Sequence, residues 1–81
     1  MTKQQALRDI SRIFGRVVQE KGKLAPQITE DTIILGGNLA VDSLDLAAVI
    51  VELQVLTGKD PFENGFINFR TVGELADLYS A

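Results

Sequence analysis

Residues 42–58 read Asp-Ser-Leu-Asp-Leu-Ala-Ala-Val-Ile-Val-Glu-Leu-Gln-Val-Leu-Thr-Gly. Asp42 or Ser43 is placed to cap a helix, and Asp45 falls in its first turn, where a carboxylate complements the helix dipole. Gly58 closes it after about Thr57. Two apolar series run through this helix. Leu46, Val49, Ile50, Leu53 and Leu56 form one face, sufficient to pack a core. Leu44, Ala48, Val51 and Val55 recur at spacings of four, three and four on the remaining surface. A helix of this kind is either wrapped on all sides or presents a face to a partner. A chain of 81 residues has too few other elements to cover both faces, so a partner surface is expected.

Upstream, Leu7, Ile10, Ile13, Phe14, Val17 and Val18 recur at spacings of three and four from Lys3 to about Lys21, which predicts a first amphipathic helix ended by Gly22. Arg8, Arg12 and Arg16 stack on another face of it and read most simply as solvated. From Lys23 to Val41 the breakers Pro26, Gly36, Gly37 and Asn38 leave no sustained period, so a long loop is expected. Ile28, Ile33 or Ile34, Leu35 and Leu39 should pin it to the core. Downstream, Phe62–Phe69 contains Asn64-Gly65 and has room for at most a turn of helix. Thr71-Val72-Gly73-Glu74 has the form of a capping box and opens a last short helix. The expected fold is therefore all-α: a small four-helix bundle of three long helices and one short one, in a single domain spanning 1–81.

Composition removes much chemistry. The chain has no Cys and no His, so neither a nucleophile pair, a Ser-His-Asp triad nor a zinc site of the usual ligands is available. No paired-acid geometry is evident, and a self-sufficient enzyme is not expected. The longest strictly apolar run, Leu46–Val51, spans six residues and the N-terminus is polar, which predicts a cytoplasmic protein with no membrane segment. The net charge of −3 is unevenly spread: residues 1–23 carry +4 and residues 24–81 carry −7. Such an acidic body is a poor partner for nucleic acid. With no disulfide available, stability must come from packed apolar side chains and is expected to be about 3–5 kcal/mol.

Asp42-Ser43-Leu44-Asp45 at the head of a helix, after an amphipathic helix and a long loop, and followed by Phe69-Arg70-Thr71-Val72 at the last helix, resembles the acyl carrier protein family over nearly the whole chain. The resemblance implies that Ser43 accepts 4′-phosphopantetheine from coenzyme A through a separate phosphopantetheinyl transferase that uses magnesium. It further implies that Asp42 helps position the transferase's metal, and that Leu44, Asp45, Ala48 and Val51 meet partner enzymes. Those partners would be an acyl- or aminoacyl-loading ligase or an acyltransferase, then downstream biosynthetic enzymes, acting on a monomeric carrier with no resident metal. A phosphate at Ser43 would lie against free N–H groups at a helix N-terminus, a suitable place for an anion. A chain without thiols would also leave the arm's thiol without competition.

An isolated Asp-Ser pair before an apolar run is commonly just a helix cap, and Asp45 can serve the dipole alone. Departures from the family pattern narrow the expectation. The second helix holds only Asp45 and Glu52 as acids, with Ala48, Gln54 and Val55 where glutamates are frequent, and Ala40 stands where a glycine is often found three residues before the serine. Docking is therefore expected to rest on apolar contact, and the carrier to serve a dedicated secondary-metabolite or lipid-modifying pathway. The alternatives are a general fatty-acid carrier and an unmodified helical interaction module. Ile50, Leu53, Phe62, Phe66 and Ile67 are candidates to line a space for a folded-back acyl chain, or are simply core.

Overall fold

Each helix begins with the same device. Thr2, Asp42 and Thr71 each accept the backbone N–H three residues on, while Gln5, Asp45 and Glu74 reach back to the capping residue's own N–H. Each pair satisfies two donors that a helix N-terminus otherwise leaves unpaired. The computed structural model describes residues 1–80 and shows α1 (Lys3–Glu20), α2 (Ser43–Thr57) and α3 (Val72–Tyr79). α2 ends as the sequence predicts, at Gly58 with φ +72°, a left-handed conformation that glycine adopts without a side-chain clash.

The fourth helix does not form. Pro61–Asn64 make turns instead, because Asp60 turns the chain back through a bond from the Phe62 N–H to its side chain (3.2 Å), and Asn64-Gly65 follows within a single turn's length. Among the described residues the fold is a three-helix arrangement, with the Phe62, Phe66 and Phe69 rings clustered at centroid distances of 5.6–5.9 Å where the short helix was expected.

α1 packs chiefly on α3 and to a lesser extent on α2. Its buried stripe, Ala6, Ile10, Ile13, Phe14 and Val18, meets Val72, Leu75, Ala76 and Tyr79 of α3 and Leu46, Val49 and Leu53 of α2. Ile34 and Leu39 complete the core from the loop. Two expected core positions lie elsewhere. Leu56 is half exposed, because α1 leaves the last turn of α2 open beside a groove lined by Arg12, Ile13, Glu52 and Val55. Leu35 is also exposed: Ile33 bridges to Thr71 and the chain bends at Ile34 and Leu35, so that of the three only Ile34 is buried in the core.

The loop at residues 30–34 holds α3 in place. The Val72 and Gly73 N–H groups donate to the Thr32 and Glu30 carbonyls at 2.9 and 2.8 Å, and the Ile34 N–H donates to Arg70 O at 2.9 Å. Loop carbonyls thereby take the first-turn donors of α3 that the Thr71–Glu74 box does not reach. The Glu74 carboxyl is held below its ordinary range by the Arg70 and Thr71 N–H groups.

Tyr79 closes the core with its ring fully buried and its hydroxyl without a hydrogen-bond partner among the described residues. Burial, and secondarily the charge of Asp60, push its pKa up to about 12. The neutral phenol is therefore favoured in the folded state. This contribution is complete below the unfolded tyrosine pKa near 10 and is lost as pH rises toward about 12, on the order of 1–3 kcal/mol. Urea titrations at about pH 8 and about pH 11 should show this loss in the wild type and a much smaller one in Tyr79→Phe. At neutral pH the variant should be as stable as the wild type or more so, by up to about 1 kcal/mol, because an unpaired buried hydroxyl is removed.

Candidate functional site

The approach to Ser43 is set by Leu39, buried in the core, after which the Val41 N–H turns back to Leu39 O at 2.9 Å. Asp42 is extended (φ −110°, ψ −175°) and serves as the α2 N-cap. Its Oδ1 accepts the Asp45 N–H at 2.9 Å, its N–H donates to Asp45 Oδ2 at 3.1 Å, and its carbonyl accepts the Leu46 N–H at 3.0 Å. Of the two residues able to cap the helix, Asp42 does so. Ser43 takes the first helical position, exposed, with its hydroxyl engaged by no hydrogen bond among the described residues. The Ser43 and Leu44 N–H groups, at the first two helical positions, have no intrahelical partner.

Asp45 carries a contact that the sequence did not reveal. Lys21, the residue following α1, donates Nζ to Asp45 Oδ2 and to Ala40 O, the latter at 3.2 Å. This ion pair, then the Asp42 N–H, hold the Asp45 carboxyl below its usual range, and the same pair raises the Lys21 ammonium. Glu52, the other acid of α2, is taken by Arg16, whose Nη2 donates to both carboxylate oxygens at 2.7 and 2.6 Å. The arginine face of α1 is thus only partly solvated: Arg16 ties α1 to α2, and Arg12 pairs with Asp9 at 3.5 Å. The signal for both interhelical pairs was present in the charge asymmetry between the first helix and the rest of the chain, but which cation meets which acid depends on how the helices cross.

The outer face of α2 carries apolar side chains. Leu44 is 79% exposed, Val51 60% and Val55 82%, with Ala48 exposed between them. A cavity of about 120 Å³ opens beside the first turn of α2, lined by Ile34, Leu35, Leu46, Phe66, Phe69 and Arg70. Of the five residues singled out for lining such a space, Phe66 contributes. Leu53 is core, Ile50 and Phe62 pack against the core, and Ile67 is exposed outside the lining. No three His, Cys, Asp or Glu side chains cluster as a metal site among the described residues, and no helix among them is long and apolar enough to cross a membrane.

The arrangement amounts to a free hydroxyl on an exposed helix N-terminus, framed by two carboxylates and one lysine and bordered by an uncharged helix face. Among solved structures, the chain is similar to that of MacpD, an acyl carrier protein from Pseudomonas fluorescens involved in mupirocin biosynthesis. The TM-score is 0.82 at 28% sequence identity, covering 95% of this chain and 69% of that one. No family model matches the chain, and no curated protein matches it. The resemblance drawn from Asp42-Ser43-Leu44-Asp45 and its surroundings is therefore matched at the level of the whole fold.

Proposed function

We propose that this chain is a carrier protein of a dedicated biosynthetic pathway, modified at Ser43 with 4′-phosphopantetheine from coenzyme A and performing no chemistry of its own. The observation that carries the proposal is the idle Ser43 hydroxyl. Asp42 does the capping, so the serine has no structural task, yet it stands exposed at the helix N-terminus in a fold shared with an acyl carrier protein. The residues fit the arm: the hydroxyl is open to a transferase, and the unpaired Ser43 and Leu44 N–H groups and the positive end of the helix dipole favour a phosphate there. When bound, the arm supplies the thiol on which acyl or aminoacyl groups ride as thioesters. Asp42 is assigned to the transferase's metal by resemblance to the family. Origin of the structural neighbour in a secondary-metabolite pathway supports a dedicated carrier over a general fatty-acid one, and such a carrier works in the cytoplasm.

Partner enzymes would dock on Leu44, Ala48 and Val51, with Asp45 at the edge. Because Asp45 and Glu52 are paired inside the chain, this docking rests on apolar contact. Raising salt from about 50 to about 500 mM should change the transferase's KM by less than about 2-fold, whereas Val51→Asp should raise it about 10-fold with kcat unchanged. A steep salt dependence would instead favour the acidic-helix, fatty-acid type of carrier.

The test of the carrier reading is intact mass before and after incubation with coenzyme A, magnesium and a broad-specificity phosphopantetheinyl transferase. One phosphopantetheine increment, mapped by fragmentation to the peptide holding Ser43, is the expected result. No increment with more than one transferase would leave an unmodified interaction module as the better account.

A further inference from the structure

We propose that Lys21 is a positioning residue for the modification of Ser43: it compensates the Asp45 carboxylate so that a phosphodiester can be built between Asp42 and Asp45. This deepens the carrier reading and rests on it. The serine is bracketed in sequence by two acids that are hydrogen-bonded to each other's backbone, one residue before it and two after. A phosphodiester at Oγ would place a third negative charge within one helical turn. Like charges that close disfavour one another even in a partly solvated setting.

One cation answers both acids. The Lys21 ammonium spans the bend, touching the carbonyl of Ala40 on the loop side and the carboxylate of Asp45 on the helix side, and the Asp42 charge also acts on it. Its backbone is fixed by the end of α1, where its N–H donates to Val17 O and Val18 O at 3.3 and 3.2 Å. Arg16, the neighbouring cation on α1, is occupied by Glu52 and cannot substitute. A helix N-terminus alone would favour a phosphate, but two carboxylates on its first turn oppose that preference, and the lysine restores it.

The experiment compares wild type, Lys21→Arg, Lys21→Gln, Asp45→Asn and the double variant Lys21→Gln/Asp45→Asn, each checked for helicity by circular dichroism. Modification is followed with a broad-specificity transferase, coenzyme A and magnesium, and melting is measured before and after. Lys21→Gln should lower kcat about 10-fold with KM within about 2-fold, and Lys21→Arg should restore it. Asp45→Asn keeps an acceptor for the Asp42 N–H and is the reference for the double variant, which should match the kcat of Asp45→Asn and so recover about 10-fold over Lys21→Gln. Modified Lys21→Gln should also melt about 4 °C below its unmodified form, against a change of about 1 °C or less in the wild type. A Lys21→Gln protein modified at the wild-type rate with no added melting shift overturns the inference, as does a defect that Asp45→Asn fails to relieve, since the lysine would then only brace the loop. Failure of the wild type to accept the arm overturns the carrier reading and this inference together.

Discussion

Ser43→Ala is expected to fold and melt like the wild type, within about 0.5 kcal/mol, while accepting no phosphopantetheine at all. The two halves of this expectation have one origin. The capping bond to the Asp45 N–H comes from Asp42, and the Ser43 hydroxyl makes none, so its removal leaves every backbone donor of the first turn as satisfied as before. Alanine also suits a helix interior at least as well as serine. Asp42→Ala provides the contrast: it removes the cap and should cost about 1 kcal/mol of stability. Thermal denaturation of both variants beside intact-mass measurement separates the roles. A Ser43→Ala protein destabilised as much as Asp42→Ala would return the serine to a structural task, and an increment surviving in Ser43→Ala would move the attachment elsewhere.

Gly73→Ala is expected to destabilise the fold by about 2–3 kcal/mol, a large share of the stability that a domain of this size has available. Gly73 is buried in the first turn of α3, where its N–H donates to Glu30 O at 2.8 Å. A Cβ there would lie 2.8 Å from that same carbonyl oxygen and 2.8 Å from Glu30 Cβ. The obstacle is backbone, which cannot rotate away as a long side chain can. To admit a methyl group the loop at residues 30–34 must retreat from α3. That movement weakens the Val72–Thr32 and Ile34–Arg70 backbone bonds and the insertion of Ile34 into the core. Urea denaturation of Gly73→Ala should show a lower midpoint. Gly15→Ala is the control: a Cβ at that half-buried position on α1 meets nothing within 4 Å, so the change should be neutral or mildly stabilising. An unchanged midpoint for Gly73→Ala would show that the loop does not press on α3 as described.

The helices were legible because local signals coincide with tertiary ones. The stripe from Ile10 to Val18 has the period of its helix, Gly58 sits where a left-handed residue is needed, and Thr71-x-x-Glu74 is a capping box that forms as written. Thr2-Lys3-Gln4-Gln5 has the same form and was not singled out, although it too caps its helix. Loop positions were less legible. Nothing in Ile33-Ile34-Leu35 marks the middle residue as the buried one; the bridge between Ile33 and Thr71 decides it, across a separation in the chain that no local pattern records. Leu56 has the spacing of a core residue but is left exposed because α1 leans toward α3. Phe62–Phe69 likewise has apolar content without a period, and it settles as a turn followed by irregular chain around three clustered rings, one pair stacked and two tilted.

The sequence by itself determined the all-helical class, the approximate limits of the three helices, the position of Ser43 at the head of α2 and the second apolar series of that helix, since each depends on residues within a few turns of one another. Only the tertiary structure decided that Lys21 and Arg16 take up both acids of α2 and that the loop backbone lies against Gly73. The physical reason is one of range. Helical periodicity and capping are satisfied by neighbours along the chain, whereas an ion pair or a close backbone approach depends on the crossing of elements, which the whole core sets at once.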